Sequence, residues 1–341
     1  MVKTYRVNKV KVLVLTWEFP PRIVGGISRH VAELYPELVK LGWEIHLLTL
    51  SAAGAAVHEQ VDGIHVHRLT VPMTDNFLSW VANLNDCLAN YASKLIREAE
   101  AADHRGVGFE LIHAHDWLVA EAAIRLKQQF QIPLVTTIHA TEAGRHNGVY
   151  THEQHHIHSQ EQQLVAASQR LIVCTNYMRQ EVERSLGAES NRIAVVYNGI
   201  RPGKKKVPAA ADIVDFRRCF AADDEKIVYY VGRLTFEKGV NVLIQAAPKV
   251  IEGIQATHPD RPGHPGVKFV IIGQGSCADL KRQVAELGLW ERFYFTGFMS
   301  DADLDQFQTI ASCAVFPSLY EPFGIVALES FAAQVPVVVY N

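Results

Sequence analysis

The chain has 341 residues, too long for one ordinary core, so two domains of about 150 residues each are expected. Its 33 Lys and Arg stand against 36 Asp and Glu, a formal charge of −3 that makes nucleic acid an unlikely partner, and 48% hydrophobic residues suit a well-packed protein. The five cysteines (Cys87, Cys174, Cys219, Cys277, Cys313) are scattered and never form C-x-x-C, which argues against a disulfide framework or thiolate metal site and fits a reducing compartment.

In chain order, Lys3, Arg6, Lys9 and Lys11 lead into Val12-Leu-Val-Leu15, an apolar run too short for a signal peptide or a membrane span. A cytoplasmic protein with no integral membrane segment is expected. A strand over 10–16, a loop to Gly26 and a helix over 27–41, kinked at Pro36, make the first βα unit. Strands over 45–50 and 64–69, a helix over 77–99, a strand opening at Leu111-Ile112 and another over 134–138 continue the alternation. A His-rich helix, a strand over 171–174, a helix over 177–186 and a strand over 193–196 reach Asn198-Gly199.

The segment Arg201-Pro-Gly-Lys204-Lys205-Lys206-Val-Pro208 breaks the pattern, so 201–210 reads as a linker between a first domain over 1–200 and a second over 211–341. The plan then restarts, with strands over 227–231, 267–272, 293–296, 314–316 and 335–340 and helices from 240, near 280 and from 301. Strand–helix alternation predicts an α/β fold of two Rossmann-like, doubly wound domains with parallel sheets, facing one another across a cleft. No helix follows the last strand, so the second domain is expected to be incomplete at Asn341.

The polar motifs follow the carboxyl ends of predicted strands, where open α/β sheets bind ligands. Gly25-Gly26 follows the first strand, where two backbone N–H groups at the helix start would suit an oxyanion, or simply make a tight turn. In Gly232-Arg233-Leu-Thr-Phe-Glu-Lys238-Gly239 two cations five residues apart suit a diphosphate leaving group without metal; the plainer reading pairs Arg233 with Glu237. Gly273-Gln-Gly275 and Gly297 mark two further loops. In Glu321-Pro322-Phe323-Gly324 to Glu329, two carboxylates stand eight residues apart, with Pro322 expected in the first turn of a buried helix over 323–333. Glu321 would stand at its mouth and Glu329 about two turns inside, either addressing one elongated ligand or merely favouring the helix dipole.

Taken together, Gly25-Gly26-Ile-Ser, His113-Ala-His-Asp-Trp117, Thr137-Ile-His139-Ala, Asn198-Gly199, Gly232-Arg-Leu to Lys238-Gly239, Gly273-Gln-Gly275 and Glu321-Pro-Phe-Gly to Glu329 resemble a retaining glycosyltransferase of family 4 with GT-B architecture, near glycogen and sucrose-phosphate synthases. The ordered set spans about 10–340. The resemblance implies that Arg233 and Lys238 hold a donor diphosphate, Glu321 the hydroxyls of the transferred sugar and Glu329 the ribose. Gly25, Gly26, Gly273, Gly275, Gly297, Phe323 and Gly324 would line the donor, His139 would lie beside the donor sugar and Asp116 on the acceptor side. It implies a hexosyl group, glucosyl first, moved from a UDP- or ADP-sugar to a carbohydrate or small hydroxyl acceptor by metal-independent front-face displacement, with no separate cofactor. The absence of an obvious nucleophile and base pair agrees. The family usually continues beyond the strand at Val337, so the completeness of the donor site is open.

Two rivals come from other classes. His152-Glu153-Gln-His-His156 matches the H-E-x-x-H zinc-hydrolase pattern, with Glu181 or Glu183 as unsupported third ligands, but it lies in a His-rich run where chance matches are easy. A non-catalytic sugar-nucleotide or glycan binder is the other. Asp301-Ala-Asp303 and Asp303-Leu-Asp305 mimic a D-x-D metal motif but read better as the acidic first turn of a helix capped by Ser300.

Overall fold

The structure is a computed structural model that describes residues 10–102, 108–201, 210–257 and 266–340. The chain divides after Gly199 into two compact units. Residues 202–209 of the expected linker lie outside the described residues, and Ala210, read as its last residue, begins an unanticipated helix, Ala210–Arg218.

In the first unit the strands are β1 (Lys11–Leu15), β2 (Glu44–Leu50), β3 (His58–Val61), β4 (Ile64–Leu69), β5 (Leu111–His115), β6 (Leu134–Ile138), β7 (Arg170–Val173) and β8 (Ile193–Val195). They form one sheet in the order β3-β4-β2-β1-β5-β6-β7-β8. Val12 to Leu15 are all buried because helices cover both faces, which is why this strand is uniformly apolar rather than alternating. Each such side chain contributes about 1.5–3 kcal/mol relative to exposure. Val31 and Tyr35 of the helix Gly26–Lys40 pack with Val12, Val14, Ile45, Leu47, Ile64 and Val66.

Three helix starts in this unit are set by threonines, Thr141, Thr151 and Thr175. Thr151 and Gln154 make a capping box for His152–Ala167, and Thr175 accepts from the Met178 N–H at the start of Asn176–Leu186. One expectation fails at the sheet edge. β3 was not anticipated, and it pairs antiparallel with β4, so the sheet is not wholly parallel.

In the second unit β9 (Lys226–Val231), β10 (Val267–Ile272), β11 (Phe293–Gly297), β12 (Cys313–Phe316) and β13 (Val337–Val339) form a parallel sheet in the order β11-β10-β9-β12-β13. Its core joins Tyr229, Tyr230, Phe269, Ile271 and Phe316 to Val240, Ile244 and Phe307 of the covering helices. Ser300 caps Asp301–Gln308 by accepting from the Asp303 N–H, as expected. The predicted helix over 323–333 is corrected: it runs Ile325–Ala332, with Gly324 as its N-cap at φ +87°, so Pro322 and Phe323 belong to the loop. A left-handed N-cap demands glycine, and it delays the helix past the proline that was expected to open it. Glu329 is therefore about one turn inside, and Ser330 is the only fully buried residue on this helix. Ser330 shares a hydrogen bond of 2.9 Å with Tyr229, tying the helix to the sheet.

Among the described residues, no helix is long and apolar enough to cross a membrane.

Candidate functional site

In each sheet the strand order reverses beside the first strand of the unit, the place at the carboxyl edge where open α/β sheets bind ligands. In the second unit the reversal lies between β9 and β12, and in the first between β1 and β5. The predicted site residues gather at those two places.

After β9, Gly232 to Gly239 form a tight loop. After β12, Pro317 to Gly324 form its neighbour, and Leu319 and Tyr320 both donate backbone N–H groups to the Glu237 carbonyl, at 2.8 and 3.2 Å. The approach is so close that a Cβ on Gly239, already at φ +67°, would lie 1.9 Å from the Pro317 carbonyl oxygen. This packing brings Lys238 Nζ to 2.8 Å from Glu321 Oε2, and the Ser318 hydroxyl donates to the same oxygen at 3.1 Å. Arg233 contacts Glu237 at 3.4 Å, which is the pairing the plainer reading expected, but almost half of its side chain remains exposed. Burial pushes the Glu237 carboxyl up, yet a bond from Thr235, its own backbone N–H and the Arg233 and Lys238 cations together hold it below its ordinary value.

Gly273 and Gly275 leave β10 against this loop. A Cβ on Gly273, at φ +149°, would meet the Gly232 carbonyl oxygen at 1.8 Å. The Gly273 N–H donates to the Gly297 carbonyl at 2.9 Å, linking a fourth strand end, that of β11, to the group. Glu329 and Phe323 are half-buried on the helix and the loop after β12. Thus Arg233, Lys238, Gly273, Gly275, Gly297, Glu321, Phe323, Gly324 and Glu329 all lie at one edge of one sheet.

The first unit presents a different chemistry. Asp116 follows β5 with φ +57°, a strained backbone for a non-glycine residue, and its Oδ1 accepts the His139 N–H at 2.7 Å, joining the ends of β5 and β6. Burial lifts the Asp116 carboxyl to about 6, against the pull of Arg145 and of two backbone donors, His139 and Ala140. A buried hydrogen-bond chain runs from Thr137 Oγ1 to His113 Nε2 at 2.8 Å, from His113 Nδ1 to the Tyr35 hydroxyl at 2.9 Å, and from that hydroxyl to His115 Nε2 at 2.6 Å. It ends with His115 Nδ1 at 3.0 Å from His139 Nε2. Burial, reinforced by neighbouring imidazoles, lowers His30, His113 and His139 to about 3, so these rings are neutral at physiological pH.

One expectation is corrected here. The Gly25 N–H is not available to a ligand oxyanion, because Glu18 Oε2 accepts from both Val24 N–H and Gly25 N–H, at 2.6 and 2.8 Å. Gly26 is exposed at the head of the helix it opens. His152, Glu153 and His156 are exposed on one helix, and among the described residues no third metal-ligating side chain joins them. Sequence reasoning gave no role to His30, Tyr35, His115 or Glu18. The i, i+2 spacing of His113 and His115 at a strand end was the available signal for two buried imidazoles on one face of the sheet.

Two Rossmann-like units with ligand-type loops at both carboxyl edges define the class of the nucleotide-handling GT-B proteins. The chain belongs to Glycosyltransferase Family 4: that family matches residues 24–204, and Glycosyl transferases group 1 matches residues 214–341. It is 33% identical to an uncharacterized glycosyltransferase of Methanocaldococcus jannaschii over 334 residues, covering 97% of this chain and 80% of that one. Glycogen synthase of Mycobacterium tuberculosis is also 33% identical, over 97% of this chain and 78% of its own. In fold, the chain resembles sucrose-phosphate synthase from Thermosynechococcus elongatus, with TM-score 0.74, 22% identity, and coverage of 97% of this chain and 81% of that one. It likewise resembles an Anabaena protein solved with UDP and glucose, with TM-score 0.71, 19% identity, and coverage of 97% and 80%.

Proposed function

We propose that this glycosyltransferase moves a hexosyl group, glucosyl first, from a UDP- or ADP-sugar to a carbohydrate or small hydroxyl acceptor with retention of configuration and without a metal ion. The observation that carries the reading is the Lys238–Glu321 pair, 2.8 Å apart at the reversal point of the second sheet. In the resting protein the ammonium and the carboxylate satisfy one another. With a donor bound, Lys238 and Arg233 turn to the diphosphate and Glu321 accepts from the sugar hydroxyls, while Glu329 accepts from the ribose. The glycines at 273, 275 and 297 let backbone approach the ligand where a side chain would intrude. In the first unit His139 serves the transferred sugar and Asp116 the acceptor.

In the transfer step the bond between the anomeric carbon and the leaving phosphate oxygen breaks. The acceptor oxygen bonds to that carbon from the same face and passes its proton to the departing phosphate. Arg233 and Lys238 stabilise the negative charge that grows on that phosphate, a role of the kind a bound metal fills elsewhere. The support is the placement of these side chains together with relatives named glycogen synthase and a neighbour solved with UDP and glucose.

A thermal-shift series with UDP, ADP, UDP-glucose and ADP-glucose tests the donor, since the tightest binder gives the largest shift by mass action. The reading expects one diphosphate nucleotide and its sugar to stabilise the protein and Lys238→Ala to abolish that shift. Equal, negligible shifts from all four would reject it.

A further inference from the structure

His30 on the helix after β1, His115 at the end of β5 and His139 just past β6 each offer a ring nitrogen, and these three atoms lie within 4.8 Å of one another. The His30 ring stands 4.9 Å from that of His139 and 5.5 Å from that of His115, centroid to centroid. His30 Nε2 is buried and has no hydrogen-bond partner. A buried polar atom left unbonded is costly, and although the Asn198 side chain also bonds to this imidazole, Nε2 is left to take a ligand.

The geometry suits a tetrahedral ion. With metal–nitrogen distances of about 2.0–2.1 Å, two imidazole nitrogens on one ion lie about 3.3 Å apart. His115 Nδ1 and His139 Nε2 are already 3.0 Å apart, so they need open by only a few tenths of an ångström, and His30 swings in from its helix. The orienting shell is present as well. If His115 donates Nε2–H to the Tyr35 oxygen, Tyr35 donates to His113 Nδ1 and His113 donates Nε2–H to Thr137 Oγ1. That sense of the chain fixes His115 in the tautomer whose Nδ1 lone pair points at His139, as ligating imidazoles need. All three rings are half-buried or buried, and burial keeps them unprotonated.

We propose that His30, His115 and His139 form a three-imidazole site for a zinc-class divalent transition-metal ion, and that occupation of the site inhibits transfer. The fourth ligand is a water or a hydroxyl oxygen, as in other three-ligand sites. The ion is not part of the reaction. It holds His139 Nε2 and so withdraws that ring from the sugar. This inhibitory half rests on the role given to His139 above, whereas the binding half does not.

Cobalt(II) tests the binding half by the intense visible absorption of a tetrahedral ion, independently of activity. One equivalent of Co2+ is expected to produce that spectrum, Zn2+ to bleach it, and His30→Gln to weaken the affinity by about tenfold or more. The double variant His152→Gln with His156→Gln is expected to keep it. No tetrahedral spectrum, or one lost with the surface pair and kept in His30→Gln, would overturn the site. For the inhibitory half, Zn2+ is expected to slow transfer, EDTA to restore it and His30→Gln to raise the inhibiting concentration by about tenfold. Tetrahedral Co2+ bound with transfer unchanged would overturn the inhibition and the role of His139 while leaving donor binding at Lys238 untouched.

Discussion

The two sheets solve the same architectural problem with opposite chemistry. At the reversal point of the first, imidazoles and hydroxyls are buried and neutral, linked from Thr137 to His139. At the reversal point of the second, charged side chains meet at a partly exposed surface, with Lys238 and Glu321 only 18% and 30% exposed and Arg233 open to solvent. The crevice of an open sheet is topological, and the sequence of the loops decides whether it becomes a neutral hydrogen-bonding wall or an ionic one. The difference predicts that substitutions in the second unit act on donor charge, and those in the first on proton placement and stability.

The largest effect should come from breaking the ionic crevice. Lys238→Ala is expected to cut kcat/KM by about 10²–10³-fold with the melting temperature nearly unchanged, because under the proposed function it removes the cation that turns from Glu321 to the leaving group. Steady-state kinetics alongside calorimetry checks this; a drop confined to stability would dissolve the contrast. Next, Gly239→Ala is expected to lose more than about 1 kcal/mol of stability, since its Cβ meets the Pro317 carbonyl at 1.9 Å and the φ of +67° suits glycine. Denaturant unfolding measures it. Donor binding should fall with it, because the collision separates the loops that bear Lys238 and Glu321.

In the first unit, Tyr35→Phe should cost about 1–3 kcal/mol, because two buried imidazole nitrogens lose their shared partner, while nucleotide-induced stabilisation persists. Loss of nucleotide binding in that variant would contradict the division of labour. The pH dependence is subtler. His30, His113 and His139 at about 3 and His67 at about 4 bind protons less readily folded than unfolded, so the stability they confer is full above 6.5 and drains away as pH falls through those values. Asp116 at about 6 and Glu161 at about 8 run the other way, their contribution fading as pH rises through those values. From pH 8 down to 6.5 Glu161 is the main group taking up a proton in the fold, so the melting temperature should rise gently and then fall as the imidazoles take over. Calorimetry from pH 8 down to about 4 checks it, and a melting temperature that keeps rising below 6.5 would count against the neutral wall. The smallest effect belongs to His152→Ala, an exposed helix position, expected to change stability by no more than about 0.5 kcal/mol and activity not at all.

Much of the architecture was legible because strands of a covered sheet are rich in apolar and β-branched residues, as in β6 and β10, or alternate apolar with polar, as in β4, and all three begin and end where those patterns do. β3 was not, because His58-Glu-Gln-Val61 lies at an edge with both exposed and half-buried positions and carries no apolar alternation. The start of the helix after β12 was misplaced because a proline rule outweighed a glycine whose φ is visible only in three dimensions. That the second-unit motifs share one sheet edge was legible from their order after the strands, but Lys238 and Glu321 are separated by 83 residues and no spacing rule joins them. His30, His115 and His139 were out of reach for the same reason: strand order, rather than sequence distance, makes them neighbours.

Glu18 gives the first sheet one more property. The head of the helix Gly26–Lys40 already has a resident counterion, supplied by the chain itself and held by two backbone donors. Free phosphate arriving there would face a carboxylate in the seat it needs, so this end of the molecule is guarded against loose anions. A ligand that binds beside Glu18 has to be recognised by something other than the Val24 and Gly25 N–H groups.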